Sequence, residues 1–209
     1  MEQRFSDYMT AYKKDVAFLE SETEEWDISG VHILVKLWES ERDHERRDWA
    51  QIRMVRDGLR YECEGIERNR WDFFPVTVEG RAYILFSKTL YGFTLIDPDT
   101  LTEAYDYFPE NVYDGDESFI ITDAKTFGRY LIFTGCYWGS PYFFVAFDHE
   151  LEVFADLSHH YGVQDGECRI EGDRLILSGL DLDMERAEAC ATEKDIDTLI
   201  LLYGVDTLS

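Results

Sequence analysis

The chain has 209 residues, 45% of them hydrophobic and 15% aromatic, so it can bury a core of single-domain size and is not expected to be disordered throughout. Its 44 acidic and 20 basic side chains give a formal net charge of -24, which argues against direct binding to nucleic-acid phosphates. It contains no run of about 18 apolar residues free of charge, so we expect no transmembrane helix and no membrane partner.

The N-terminal residues and the cysteines both favour a cytoplasmic protein. Residues 1–7 lack a basic stretch followed by an apolar run, so the sequence predicts no secretory signal. The four cysteines, Cys63, Cys136, Cys168 and Cys190, lack the close spacing of a zinc knuckle or a redox dithiol. We therefore expect small buried thiols in a reducing compartment; two structural disulfides in an exported protein are the alternative.

The first 26 residues have the periodicity of an amphipathic helix. Five apolar side chains recur at spacings of three and four: Phe5, Tyr8, Tyr12, Val16 and Leu19. In a helix this spacing places all five side chains on one face. The pattern predicts an N-terminal helical segment over residues 1–26 that docks on the rest of the chain; a helix free to bind a partner is the alternative.

From Gly30 almost to the C-terminus the period changes to two, which is typical of strands. Short runs rich in β-branched and aromatic residues are separated by turn dipeptides such as Asp-Gly, Gly-Asp and Asp-Pro. Pro75 falls inside one apparent strand, which indicates an edge or a bulge there. The sequence predicts a single all-β domain over residues 27–209. The predicted strands include residues 31–37, 83–86, 93–96, 119–122, 130–133, 142–147, 151–154 and 174–177.

Two segments of the chain are similar at an offset of 47 residues. Residues 81–88 (Arg-Ala-Tyr-Ile-Leu-Phe-Ser-Lys) align with residues 128–135 (Gly-Arg-Tyr-Leu-Ile-Phe-Thr-Gly). After a short insertion, Ile96-Asp97 aligns with Phe147-Asp148, and a weaker third copy begins at Asp173. The sequence therefore predicts internal repeats of strand, turn, strand, Asp-containing turn and strand. These repeats lie near residues 70–117, 118–165 and 166–205.

Repeats of about 45 to 50 residues that hold several strands resemble the blades of a β-propeller. The resemblance covers roughly residues 70–180 and rests on the strand pattern, without a family fingerprint. It implies antiparallel, blade-like sheets in a small or partial propeller. A β-sandwich or an irregular barrel is the alternative architecture.

Charge is distributed unevenly along the chain. Eight of the fourteen arginines lie between Arg42 and Arg70, where we expect local ion pairs in a hairpin, or a patch that contacts an anionic partner. Residues 82–209 hold 25 acidic and 7 basic side chains. Within them, a strand would place Asp181, Asp183 and Glu185 on one face. Such a face is predicted to attract a basic protein partner, or else to serve solubility alone.

The segment from Cys136 to Tyr142 is rich in aromatic residues and is inserted within a repeat. Its Tyr137, Trp138 and Tyr142 are candidates for a platform that stacks on a sugar, or for an anchor in a protein interface. Burial of the three rings in the core is the alternative interpretation.

The sequence does not identify catalytic residues. It contains no P-loop, dinucleotide fingerprint or nucleophile elbow. Its five histidines lack the spacing of a helical zinc site, and in residues 110–117 Val112 occupies a position where a calcium loop needs an oxygen ligand. We therefore predict no cofactor and no metal. The favoured function is a non-catalytic acidic module that binds a basic protein, as an immunity or inhibitor protein does; a carbohydrate-binding module or carbohydrate-active enzyme is the alternative.

Overall fold

A computed structural model describes most of the chain up to Asp183. The described residues are 2–14, 16–42, 45–66, 71–108, 119–136, 142–148, 153–158, 167–172, 174–177 and 180–183. The chain divides into two compact units, which are treated separately below. The first unit comprises residues 1–75 and 82–108, and the second comprises residues 76–81 and 109–209.

The described part of the chain contains one N-terminal helix and fifteen strands, which confirms the predicted all-β class. The helix α1 spans Glu2–Lys13 and is shorter than the predicted segment 1–26, because residues 19–28 form the first strand. The strands are β1 (Leu19–Ile28), β2 (Val31–Arg42), β3 (Glu45–Arg56), β4 (Leu59–Ile66), β5 (Phe74–Val78), β6 (Arg81–Phe86), β7 (Phe93–Asp97), β8 (Thr102–Tyr107), β9 (Ile120–Phe127), β10 (Tyr130–Cys136), β11 (Tyr142–Asp148), β12 (Val153–Asp156), β13 (Cys168–Glu171), β14 (Arg174–Leu177) and β15 (Leu180–Asp183).

Each sheet is built from strands that follow one another in the chain. The strand orders are β1-β2-β3-β4, β5-β6-β7-β8, β9-β10-β11-β12 and β13-β14-β15. Antiparallel neighbours joined in this way need only short turns, which agrees with the frequent turn dipeptides in the sequence. Pro75 lies in β5, at the edge of its sheet, where a residue without an N–H group is tolerated.

Three tight turns set the strand register. Ser29–Gly30, Asp57–Gly58 and Glu79–Gly80 each connect two strands with two residues. In all three turns both residues have positive φ, with values of 49° to 52° at the first residue and 75° to 83° at the glycine. Two consecutive positive values define a type I′ turn, whose twist matches that of the flanking strands. Glycine at the second position adopts this conformation without a steric penalty.

The core of the first unit forms between the inner face of the β1–β4 sheet and residues that follow it in the chain. Its buried side chains include Val31, Ile33, Val35 and Leu37 of β2, Ala50, Ile52 and Met54 of β3, and Trp71, Phe73, Ile84, Phe86 and Ile96. Their alternation along β2 and β3 is the period of two seen in the sequence. At the end of β4, Gly65 lies directly under Trp71: a Cβ atom there would be 2.0 Å from the indole ring.

The second unit has a core of aromatic and aliphatic residues from β9, β10 and β11. Tyr130, Phe133, Phe144 and Phe147 are almost completely buried. The two segments that are similar in sequence lie at corresponding positions of their sheets. Residues 81–88 contain β6 and residues 128–135 contain most of β10, which are the second strands of the β5–β8 and β9–β12 sheets. Ile96-Asp97 and Phe147-Asp148 end β7 and β11, the third strands of the same two sheets.

Candidate functional site

Strand β1 is an acidic strand at the edge of the first sheet. Five of its ten residues are acidic and none is basic: Glu20, Glu22, Glu24, Glu25 and Asp27. Most of the strand is exposed, and the side chain of Leu19 at its start has 76% of its surface accessible. Within the described residues, Glu20, Glu22 and Glu25 form no ion pair with a lysine or arginine. We call these three residues the unpaired β1 glutamates.

The C-terminal half of β1 is fixed to the body of the first unit on its inner face. The Trp26 ring packs edge-on against Phe73, with the centroids 5.0 Å apart, and Ile28 contacts the same core. On the outer face, Glu25 lies opposite Leu34 and Asp27 lies opposite His32. The Asp27 carboxylate is 3.2 Å from Nδ1 of His32. Thus the strand is anchored through one face while its carboxylates on the other face meet solvent.

Arginines of the basic segment that the structure describes with side chains are paired within the first unit. Arg53 and Arg60 both contact Glu62, at 2.7 Å for Arg53, and these two hydrogen bonds hold the pKa of the Glu62 carboxyl below its ordinary value. These pairs join β3 and β4; the hairpin loop with local ion pairs that is expected over residues 39–48 stays a prediction, because the side chains of residues 41–47 lie outside the described residues. The arginines at 42, 46, 47, 68 and 70 have side chains outside the described residues.

Arg56 links three turns of the first unit. Its guanidinium donates to the carbonyl oxygen of Ser29 at 3.3 Å and to that of Pro98 at 3.0 Å. It also forms ion pairs with Asp99 at 2.9 Å and Asp57 at 3.6 Å. The β1–β2, β3–β4 and β7–β8 turns are therefore joined through one side chain. This arrangement contributes to the placement of β1 because it holds the turn in which β1 ends.

A partly buried ionic cluster lies between β4, β7 and β8. The Lys88 ammonium is 2.6 Å from Oε1 of Glu103 and 3.0 Å from Oδ1 of Asp106, and only 11% of the lysine side chain is exposed. The Tyr61 hydroxyl donates to Glu103 at 2.5 Å, and the Thr94 hydroxyl donates to Asp106 at 2.6 Å. We call these five residues the Lys88 cluster.

Protonation in and around the Lys88 cluster favours a structural connection over acid–base or nucleophilic chemistry. Burial alone would lower the pKa of Lys88, but Asp106 and Glu103 outweigh it and the pKa is raised. Burial would likewise raise the pKa of Glu103, but hydrogen bonds from Lys88 and Tyr61 lower it. Burial raises the pKa of the neighbouring Cys63 thiol to about 12 and also raises that of the Tyr61 hydroxyl. Near neutral pH the lysine is therefore charged, and the thiol and phenol are protonated.

Helix α1 covers one side of the first unit. Phe5 and Tyr8 contact Phe108, with ring centroids 5.6 Å and 5.7 Å apart. Lys13 forms an ion pair with Glu64 at 2.8 Å and lies 4.3 Å above the Trp49 ring. A groove of about 590 Å³ runs along the helix. It is lined by Phe5, Ser6, Met9, Thr10, Lys13, Lys14 and Glu64.

The residues that the sequence predicts as binding sites fall mostly beyond what the structure describes. Tyr137, Trp138 and Glu185 lie outside the described residues. Tyr142 begins β11, and Asp181 and Asp183 occupy alternate positions of β15, but the description does not extend to their side chains. These assignments stay predictions.

Sequence reasoning missed the acidic edge strand because the helical periodicity of residues 5–19 was extended to residue 26. A usable signal was present: Trp26 and Ile28 alternate with polar residues immediately before Ser29–Gly30, a typical hairpin turn. The Lys88 cluster gave no such signal, since its members are separated by up to 45 residues in the chain, from Tyr61 to Asp106.

Among the described residues, no helix is long and apolar enough to cross a membrane. The same part of the chain contains no group of three or more histidine, cysteine, aspartate or glutamate side chains placed to hold a metal ion.

No protein-family model, curated protein or solved structure matches the chain, so the comparisons identify no relative with this arrangement of strands and side chains.

Proposed function

We propose that this protein is a non-catalytic interaction module that captures a basic protein through its acidic surface, as an inhibitor or immunity protein does. The observation that carries the proposal is the edge strand β1, which is exposed and bears five carboxylates with no basic residue. Its unpaired β1 glutamates form no ion pair with a described lysine or arginine, so cations of a partner can approach them without breaking an existing ion pair.

The overall charge supports the same function. A net charge of -24 produces a long-range negative field that attracts a basic protein and repels acidic ones. Such fields raise association rates by roughly 10- to 1,000-fold at low ionic strength. The attraction is screened over about 10 Å at 0.1 M salt, so capture should depend steeply on salt. This salt dependence separates charge-driven capture from apolar association.

The scaffold that presents the strand is proposed to be a set of blade-like repeats. Successive four-stranded meanders and the equivalent positions of residues 81–88 and 128–135 support this interpretation. The state of the Lys88 cluster supports a non-catalytic protein, because its ammonium is held by two carboxylates and the nearby thiol is protonated at neutral pH. We further propose that the protein acts in the cytoplasm.

The test is capture from a lysate of the source cells at about 50 mM and about 500 mM NaCl, conditions that differ strongly in screening. The bait is the wild-type chain or E20Q/E22Q/E25Q, which neutralises the unpaired β1 glutamates. The control, E79Q/E167Q/E171Q, neutralises three exposed glutamates elsewhere and has the same net charge.

We expect one stoichiometric basic protein that binds wild type and the control at low salt, is released at high salt, and is lost by E20Q/E22Q/E25Q. Equal loss with both variants would mean that net charge, and not β1, captures the protein. Retention by both variants at high salt would overturn the proposal.

Carbohydrate binding stays the second prediction. It would use Tyr137, Trp138 and Tyr142 as a stacking platform. Trp138→Ala should then abolish binding to the glycans that raise the melting temperature of the wild-type chain. Unchanged glycan binding in that variant would contradict the platform.

A further inference from the structure

The main chain of β1 has a hydrogen-bonding side that faces away from β2. The β1–β2 hairpin closes with a two-residue turn, and Ile28 is paired with Val31 on either side of it. In such a hairpin the closing pair exchanges both of its main-chain hydrogen bonds, and every second pair along the strands does the same. By this alternation Glu24, Trp26 and Ile28 direct their N–H and C=O groups toward β2.

The residues between them therefore direct their main-chain groups outward. These are Thr23, Glu25 and Asp27, all of them exposed. Because β1 ends the strand order of its sheet, no described strand pairs with these outward groups. Unpaired N–H and C=O groups along an ordered strand form a template for one more strand. The template is held in an extended shape by its pairing with β2 and by Trp26 against Phe73.

The charges of β1 determine which strand could be added. A second copy of β1 would bring glutamates opposite glutamates, and like charges in directly opposed positions are destabilising. A strand with lysine or arginine would instead face carboxylates on both sides of the ladder, Glu25 and Asp27 on the outer face and Glu22 on the inner one. The same pattern thus opposes self-association and favours a basic strand.

We infer that β1 binds its partner by strand addition: an extended, lysine- or arginine-rich segment of the partner pairs with the outward main chain of Thr23, Glu25 and Asp27. This inference rests on the proposed function and adds the mode of recognition to it. In this mode the main-chain hydrogen bonds supply affinity and the side chains supply selectivity. The partner segment is consequently a strand or a segment that becomes one, and not a basic helix.

The first experiment separates main-chain pairing from charge at one position. Glu25→Gln removes a carboxylate and keeps the outward N–H; Glu25→Pro removes the same carboxylate and the N–H as well. Proline is tolerated on an edge strand where its nitrogen faces solvent. The probe is a synthetic decapeptide of alternating lysine and threonine with an N-terminal fluorophore, and its affinity is measured by fluorescence anisotropy at about 50 mM NaCl.

We expect Glu25→Gln to weaken peptide binding about 2- to 5-fold and Glu25→Pro to weaken it at least about 10-fold more, since one central hydrogen bond and the local strand geometry are lost. Thermal unfolding of both variants checks that the fold is retained. Equal affinities of the two folded variants would overturn strand addition and leave charge-driven capture intact. If E20Q/E22Q/E25Q binds the peptide as tightly as wild type does, the proposed function itself fails.

A second measurement uses the wild-type chain and does not depend on tolerance of proline. Amide hydrogen exchange is followed by NMR with and without the peptide. In the free protein the amides of Glu24, Trp26 and Ile28 should be protected and those of Thr23, Glu25 and Asp27 should exchange quickly. Peptide binding should protect the second set at least about 10-fold, because their N–H groups become hydrogen-bonded. Peptide binding that leaves these three amides unprotected would refute the pairing.

Discussion

Removal of the Lys88 ammonium should destabilise the first unit strongly. In Lys88→Met the apolar stem is kept, but Glu103 and Asp106 lose the cation that lies 2.6 Å and 3.0 Å from them. At an effective dielectric constant of about 20, unit charges 3 Å apart attract each other by about 5 to 6 kcal/mol. The desolvation of the lysine, which is 11% exposed, offsets part of this attraction. We expect the free energy of unfolding to fall by about 2–4 kcal/mol, somewhat less than the roughly 3–5 kcal/mol measured when one partner of a fully buried ion pair is removed, because the Glu103 and Asp106 side chains are 30% and 19% exposed.

The assay is urea unfolding of wild type, Lys88→Met and the triple variant K88M/E103Q/D106N. The triple variant removes the carboxylates that the single variant leaves without a cation, so it should recover stability to within about 1–2 kcal/mol of wild type. A loss below about 1 kcal/mol in Lys88→Met would refute the reasoning, because the cluster would then behave like an exposed ion pair. A triple variant no more stable than the single one would assign the loss to packing rather than charge.

The pH dependence of the stability lost in Lys88→Met is a further check, and the pKa shifts of Glu103 and Lys88 determine its direction. The pKa of Glu103 is lowered in the folded chain, so its contribution to stability is present above the ordinary carboxyl pKa of about 4.3 and is lost as the pH falls through the folded value. The pKa of Lys88 is raised, so its contribution is present below the ordinary lysine pKa of about 10.4 and is lost as the pH rises through the folded value. The difference in the free energy of unfolding between wild type and Lys88→Met should be constant between these two pH limits and should become smaller on acidification.

Three other substitutions test the parts of the structure that position β1. Arg56→Met should cost about 1–3 kcal/mol and speed amide exchange at Ser29–Gly30, whereas exchange unchanged at that turn would contradict its role as a link. Gly65→Ala should cost about 3 kcal/mol in the free energy of unfolding, because its Cβ would lie 2.0 Å from the Trp71 ring and 2.8 Å from the main-chain oxygen of Lys88. Adding Trp71→Leu should make the alanine better tolerated only in part, because it removes the clash with the ring but not that with the main chain. Neutralising the unpaired β1 glutamates with E20Q/E22Q/E25Q should change stability by less than about 0.5 kcal/mol and promote self-association in sedimentation velocity; a large loss of stability would show that these carboxylates are structural.

The strands were predictable where their information is local. Residues 83–86, 93–96, 130–133 and 174–177 combine alternation or apolar runs with a neighbouring turn, and each lies in a strand. Strand β1 could not be recognised in the same way, because its first half is polar on both faces and has no alternation to detect. Because Tyr12, Val16 and Leu19 are spaced as on one face of a helix, the predicted helical segment includes most of β1.

The sites are harder to predict because they depend on contacts between distant residues. Tyr61, Lys88 and Glu103 meet only after two sheets have formed. Their residue types are ordinary in a sequence with 44 acidic side chains, so no local pattern distinguishes them. By contrast, the acidity of β1 is visible in the sequence, but its significance depends on the strand being at a sheet edge, which only the pairing order reveals.

The distribution of ion pairs explains why β1 is the surface on which a partner's cations would act. The chain has more than twice as many carboxylates as basic side chains, so most carboxylates cannot find an internal partner. Many of the described cations are paired with acidic residues of the chain, as Lys13 is with Glu64, Lys88 with Glu103 and Arg53 with Glu62. On β1, Glu20, Glu22 and Glu25 form no ion pair with a described lysine or arginine, and their negative charge coincides with outward main-chain donors and acceptors. A basic strand satisfies both at once, whereas a basic helix or a diffuse cationic surface would satisfy only the charge.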